Sequence, residues 1–536
     1  MRVLAVPSPL LLCVCCTVCV LLLCGSSTTP SVGGRTFACA HSTTRNTSLT
    51  FPTLFEISTR PYLYSLSQKL GKPVMLKDIP DSELQELASR GVQIVWFMGT
   101  WKLGKAGLEH DRTDPNLLKS YSVVLPGYTQ ADIIGSPYAI VEYVTNPDIG
   151  SDDDVRHLRS RLHALGMLLM LDFVPNHSAV DSPLMDSNVE DYVRAPKGTQ
   201  PPFDPNRYLP NGVAYGRDPY SGAWTDTAQF NYWNEATRQE RLGDLMKAAS
   251  LADAVRCDMA MLVLNDVIQQ TWGPNLASWG YTRPESEFWG WALPQVKSKY
   301  GTLIMGECYW GLERKLQSLG FDYTYDKDLY DHLTNGNLDN LRGFITGNSV
   351  DYFTHSAHFV SNHDQDRAVV NFGSVARADA AAAVSFTIPG MKFNWQGQWE
   401  GYKYKLDVHL RRERFQDPVV EAVDFYDHLL AALDHPVFQQ GDWYYLTPQS
   451  SDSSWRLLSW RWALKDEDKR LVVVNYSDST GAGAVVLDNA VARNGNDTIP
   501  VTDLMTGQVY PRSAAEMRSK GLFCVLHAWQ VQIFQY

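Results

Sequence analysis

The sequence predicts an α/β protein: a (β/α)8 TIM barrel with a small excursion domain and a C-terminal antiparallel β-sandwich. Three observations predict it. Apolar strands alternate with helical stretches from Phe51 to about His435, enough for about eight units, and that alternation means parallel strands joined by right-handed crossovers. The segment from Ser178 to about Tyr232 is rich in Pro, Gly, Asp and Tyr and lacks periodicity, and it is too long for a simple connection. From Gly441 onward, short strands follow one another between turns, the pattern of a sandwich of about a hundred residues.

The N-terminus comes first in the chain. Met1-Arg2, the apolar run Val3–Cys24 and Gly25-Ser26-Ser27 have the charge, apolar and small-residue order of a secretory signal. The run is longer than a usual signal core, so residues 1–26 read as a signal peptide or a signal anchor retained in the membrane. Either sends the rest of the chain into the secretory path, to be secreted or held in the lumen. Residues 27–50 are Ser/Thr/Gly-rich and read as a linker.

The barrel is expected over residues 51–436. Phe51-Pro-Thr-Leu-Phe-Glu-Ile reads as its first strand, and Pro61–Leu70 as a helix. Asp81–Arg90 is a second helix, which Asp81 can cap and Gly91 closes. Val92–Met98 is a continuous apolar strand of the kind buried on both faces. After a long polar insertion, Asp152–Gly166 carries Val155, Leu158, Leu162 and Leu165 on one stripe, with three aspartates at its positive end. Met167–Val174 is the next strand. Helix, turn and strand recur at Gln239–Asp258, Pro294–Gly306 and Leu312–Tyr323. Residues 178–232 form the excursion and 437–536 the sandwich. A doubly wound sheet is the structural alternative, but no dinucleotide fingerprint follows the first strand.

The net charge of −12 argues against nucleic acid as a partner. Of nine cysteines, five lie inside the N-terminal apolar run, and Cys39, Cys257, Cys308 and Cys524 are too scattered for a disulfide framework. Asn46, Asn475 and Asn496 each begin a glycosylation acceptor in a polar stretch. The basic run Lys403–Arg414 reads as a solvated face.

Chemistry concentrates at Ala254–Ala260, a buried strand ending in charge. Strand alternation puts Arg256 and Asp258 on one face and Cys257 on the other. The guanidinium is expected to lower the carboxyl pKa and keep Asp258 ionised, as a nucleophile in covalent glycosyl transfer must be. By itself such a pair is more often structural. Three further segments change that: Leu171-Asp-Phe-Val-Pro-Asn-His177, Ile304-Met-Gly-Glu-Cys308 and Phe359-Val-Ser-Asn-His-Asp364. In a barrel, residues at the carboxyl ends of strands meet at one mouth, which would gather Asp172, Asn176, His177, Arg256, Asp258, Glu307, His363 and Asp364.

With these residues in order, the chain resembles glycoside hydrolase family 13, the α-amylase family. The family pattern Asp-x-Val-x-Asn-His matches Asp172–His177, Arg-x-Asp matches Arg256 and Asp258, the strand-end glutamate matches Glu307, and Asn-His-Asp matches Asn362–Asp364. The resemblance runs from about Phe51 to the end and implies an excursion after the third strand. It implies Asp258 as nucleophile, Glu307 as general acid/base with a raised pKa, and Asp364 as the third carboxylate on sugar hydroxyls. It further implies His177 and His363 as hydrogen-bonding histidines, Asp172 and Arg256 as site residues, and Tyr138, in Ser136-Pro-Tyr-Ala-Ile, as the aromatic stacked on the sugar. The implied reaction is retaining hydrolysis of α-glucosidic bonds, with the two carboxyls about 5–5.5 Å apart.

Many α-amylases carry Lys-His where this chain has Met261-Leu262. That histidine helps a structural calcium site through its backbone, so Asn176 is left without assured cation partners and no metal or other cofactor is assigned. The chain thus resembles the wider family better than a starch-cleaving amylase. The expected partner is a carbohydrate substrate, with membrane contact only through an N-terminal anchor. The sequence does not give the oligomeric state. Alternatives are a transglycosylase with the same covalent intermediate, a non-catalytic amylase-like membrane subunit, and a sugar-binding protein with a decayed site.

Overall fold

The computed structural model describes residues 49–465, 468–492 and 496–536. The expected signal or anchor, nearly all of the linker and the Asn46 acceptor lie outside them. Eight parallel strands close into a barrel: Thr53–Ser58, Ile94–Met98, Leu168–Phe173, Ala254–Cys257, Leu303–Gly306, Tyr323–Tyr325, Ser356–Phe359 and Met391–Trp395. Each pairs with its predecessor in the chain, and the last pairs with the first through Thr53–Lys392 to Glu56–Trp395. The second strand is apolar throughout because it is buried on both faces.

The helix Asp152–Ala164 buries Val155, Leu158 and Leu162, and Ser151 caps it by accepting from the Asp154 amide. Two helix boundaries differ from expectation. Pro80 precedes the helix Asp81–Ser89, so Asp81 lies in its first turn and binds Arg161 instead of capping. Pro294 does not open its helix, which runs Phe288–Tyr300 with the proline inside; apolar Phe288, Trp289 and Leu293 are buried there, and packing outweighs the hydrogen bond the proline forgoes.

The insertion after the second barrel strand holds an antiparallel pair, Trp101–Leu103 with Ile140–Thr145, and the helices Lys105–Asp111 and Pro115–Val124. The excursion after the third barrel strand is a three-stranded sheet of His177–Ala179, Trp224–Gln229 and Tyr215–Gly216. The loop 403–414 is half-buried and tied to the insertion, with Arg411 and Arg412 donating to Asp132 Oδ1 at 3.3 and 2.8 Å. The expectation of a merely solvated basic face is corrected by that packing.

The C-terminal domain pairs a six-stranded antiparallel sheet with a two-stranded one, Gly481–Val485 with Leu522–Leu526. Leu471, Val473, Val485, Leu522 and Phe534 form the core between them. Trp460 and Trp462 fix the domain to the barrel by donating to Thr387. Asn475 is fully buried and donates to the carbonyls of Ser479, Leu526 and His527. A folded chain cannot present it for glycosylation, which corrects that acceptor; Asn496 is exposed.

Candidate active site

The barrel strands deliver the charged residues to one cavity of about 590 Å³, lined by Tyr138, His177, Asp258, Glu307 and Asp364 among others. Arg256, fully buried on the fourth strand, organises it. Its Nη1 donates to Asp258 Oδ1 at 2.9 Å, its Nη2 to Glu307 Oε2 at 2.7 Å, and its Nε to the Tyr325 hydroxyl at 3.2 Å. One guanidinium therefore spans the two carboxyls that follow neighbouring strands, a use of its planar fork that a lysine could not reproduce. Asp172 lies 3.9 Å from Nη1 and accepts from the Gly99 amide at 2.8 Å.

Glu307 is held on both oxygens. Oε2 accepts a second bond from the Met259 amide at 2.7 Å, and Oε1 accepts from the Tyr309 hydroxyl at 2.6 Å. Met259 reaches this position in the left-handed region, at φ 40°, uncommon for a residue with a side chain and a mark of local strain. Burial raises the Glu307 carboxyl to about 7, with Asp258 and Asp364 adding to it against the pull of Arg256.

Asp258 departs from the sequence reading. Its pKa is raised, because burial outweighs the guanidinium beside it and Asp364 adds repulsion. The contact to Arg256 is as expected, but a two-residue spacing says nothing of how deeply the pair is buried.

His363 links the cavity to the first strand. Its Nδ1 meets Glu56 Oε1 at 2.5 Å, and its Nε2 meets the Tyr138 hydroxyl at 2.7 Å and Asp364 Oδ2 at 3.2 Å. Burial alone would lower its pKa, but Asp364 and Glu56 outweigh it and hold the ring cationic. Asp364, whose side chain is 44% exposed toward the cavity, is pulled down to about 2 by that imidazolium against the effect of burial. His177 behaves in the opposite way: burial lowers it to about 4, and its Nε2 is buried with no partner.

At Asn176, Gln229 Nε2 donates to the side-chain oxygen at 2.9 Å and to the carbonyl at 3.0 Å. An amide thus engages the oxygens that a cation would need. No group of three or more metal-ligating side chains occurs among the described residues. Cys257, Cys308 and Cys524 are buried and unpaired. Glu56, Tyr309, Tyr325 and the Met259 amide went unrecognised in the sequence; the one available signal was a carboxylate within the otherwise uncharged strand Thr53–Ser58.

No family model matches the chain. It is 26% identical to α-amylase MalA of Haloarcula japonica over 271 residues, 48% of this chain and 35% of that protein. It is 23% identical to α-amylase 3 of Dictyoglomus thermophilum over 303 residues, 52% and 56% of the two, and 26% identical to the cyclomaltodextrin glucanotransferase of Geobacillus stearothermophilus over 275 residues, 46% and 35%. By these matches the chain is similar to enzymes of the α-amylase family. Its matches span less than two thirds of each of these relatives. Among solved structures, the chain superposes on an α-amylase from Lactobacillus plantarum with a TM-score of 0.65 and 19% identity, over 92% of this chain and all of that one. A debranching enzyme of Nostoc punctiforme gives 0.61 at 14% identity, over 91% and 98%. These likenesses carry the fold: barrel, excursion after the third strand, terminal sandwich.

Proposed function

We propose that the protein is a retaining α-glycosidase that hydrolyses α-glucosidic bonds through a glycosyl-aspartate intermediate. The observation that carries this reading is Arg256, whose one guanidinium binds both Asp258 and Glu307 in a cavity they share with Asp364. An Asp258 oxygen attacks the anomeric carbon while the bond to the leaving oxygen breaks and Glu307 gives that oxygen its proton. A water then attacks the same carbon, Glu307 takes its proton, and the ester to Asp258 opens. A carboxyl raised to about 7 suits the proton's passage both ways. Ionised Asp364 accepts from sugar hydroxyls and supports the cationic transition state. His177 Nε2 and His363 hydrogen-bond the ring, and Tyr138 packs on it. The relatives' names supply the sugar class: amylases and a glucanotransferase act on α-linked glucans.

Transglycosylation is the nearest rival, because a sugar hydroxyl can replace water in the second step. A binding-only membrane or sugar-binding subunit finds less support, since it has no need for Glu307 to be held by three donors and raised to about 7. We further propose that the apolar run Val3–Cys24 takes the chain into the secretory path. No helix of the described residues is long and apolar enough to cross a membrane.

The test is turnover of maltose, sucrose, trehalose, isomaltose and starch by the purified protein and by Asp258→Asn. The expected result is hydrolysis of at least one donor by the wild type and a loss of at least about a thousandfold in the variant. Equal turnover by both, or none by the wild type on any donor, would sink the reading.

A further inference from the structure

The carboxyls of the cavity are not all held in the same way. Asp258 and Glu307 follow their strands directly, and their amides still donate to carbonyls of the neighbouring strands, at Phe173 and Cys257, at 2.8 and 2.9 Å. Asp364 lies five residues beyond Phe359, the end of its strand, in an irregular stretch. Its amide donates to the Asn362 side-chain oxygen at 3.1 Å. Its carbonyl accepts from Lys405 Nζ at 3.1 Å, from 41 residues further along the chain. The same ammonium stands 3.9 Å from Asp366 Oδ1. The third carboxylate thus takes part of its place from the loop 403–414 and not from the barrel ladder.

A lysine whose side chain is 34% exposed can fix a backbone only if its own loop is fixed. Arg367, three residues past Asp364 and 1% exposed, holds that loop. Its Nε donates to the Tyr404 carbonyl at 3.0 Å, beside Lys405, and its Nη2 donates to Glu413 Oε2 at 2.9 Å, near the other end of the loop. Its Nη1 donates to the Gln396 carbonyl. The guanidinium carbon lies 3.9 Å from the centre of the Trp395 ring, at the end of the eighth barrel strand. Both feet of the loop are therefore gripped from the barrel. Gly397 leaves room for this: a Cβ there would stand 2.8 Å from Arg367 Nη1. The tip of the loop is tied to the insertion, where the Ile134 amide donates to the His409 carbonyl at 2.8 Å and the Arg411 amide to the Asp132 carbonyl at 2.9 Å.

We infer that Lys405 is a positioning residue for Asp364, and that Arg367 and Glu413 act through it by holding the loop 403–414 at both feet. The inference rests on the glycosidase reading above, in which Asp364 accepts from sugar hydroxyls. Such hydrogen bonds strengthen as positive charge develops on the sugar ring. A carboxylate displaced by about 1 Å loses much of that gain. The loss falls on the transition state more than on the bound substrate, so it appears in kcat more than in KM. The lysine charge also favours the ionised form of Asp364. A buried ion pair adds little net stability, because desolvation offsets the attraction. The contribution of Arg367 and Glu413 is accordingly geometric.

The experiment compares the full protein with Lys405→Met, Lys405→Arg, Glu413→Gln and the double variant of Lys405→Met with Glu413→Gln. The substrate is whichever of maltose, sucrose, trehalose, isomaltose and starch the wild type cleaves fastest. Lys405→Met is expected to lower kcat about tenfold while KM changes by less than about threefold. Its Tm stays within about 2 °C of wild type, since the lost contact is at the surface. Lys405→Arg keeps a cationic donor within reach and recovers kcat to within about threefold of wild type. Glu413→Gln also lowers kcat, and the double variant loses no more than Lys405→Met alone, because both changes act on one contact. Overturning results are a Lys405→Met kcat within about twofold of wild type, or a loss confined to KM. A loss that Lys405→Arg does not recover, or single losses that multiply in the double variant, would overturn it too. A wild type that cleaves none of these donors would overturn the glycosidase reading itself, a result distinct from the others.

Discussion

The Tyr309 hydroxyl donates to Glu307 Oε1 at 2.6 Å from two residues further along the chain. This bond steadies the charged form of Glu307 and so opposes the rise that burial imposes. The proton donor of the proposed reaction is thereby tuned by its own loop and not by Arg256 alone.

Tyr309→Phe removes that stabilisation. Glu307 works as an acid only while protonated, so activity falls as pH rises through its pKa. The variant's alkaline limb in kcat/KM is expected to move to higher pH, and kcat to drop about tenfold as positioning is lost. A pH–rate profile checks it; an unmoved or acid-shifted limb contradicts the assignment.

Glu56→Gln tests the link between the first strand and the cavity. A histidine raised in the folded state contributes stability that is fully present below its unfolded pKa of about 6.5 and is lost as pH rises through the folded value. Glu56 is one of the two groups that raise His363. The variant should lose on the order of 3 kcal/mol near pH 6, and the deficit should shrink at alkaline pH. Denaturant unfolding at several pH values reads this, and a deficit independent of pH would count against it.

The four segments were legible because a barrel puts strand ends together, so their order in the sequence implies their meeting in space. What escaped notice depends on burial or on distance along the chain. The raised Asp258 carboxyl is a burial effect, invisible in an Arg-x-Asp spacing. Asn475 matches an acceptor pattern but lies inside the terminal domain. In the insertion after the second strand, Trp101–Leu103 is too short to show an alternating pattern.

Lys392 gives a test of the fold apart from the chemistry. It is buried on the eighth strand, donates to the Phe51 carbonyl at 2.7 Å, and is lowered by burial to about 7. Between pH 7 and about 10.4 the unfolded chain holds this proton and the folded chain does not, so stability rises with pH across that window. Lys392→Met should lack the rise. A variant with the wild-type slope from pH 7 to 10 would show that Lys392 is not buried as described.

The most direct measurement traps the glycosyl enzyme. A fluorinated α-glucosyl fluoride, whose electron-poor ring slows the second step, is incubated with the protein, and peptides are examined by mass spectrometry. The account predicts one fluoroglucosyl group esterified to Asp258 and none in Asp258→Asn. Turnover of an α-glucoside with no adduct under these conditions, or an adduct on a different side chain, would contradict it.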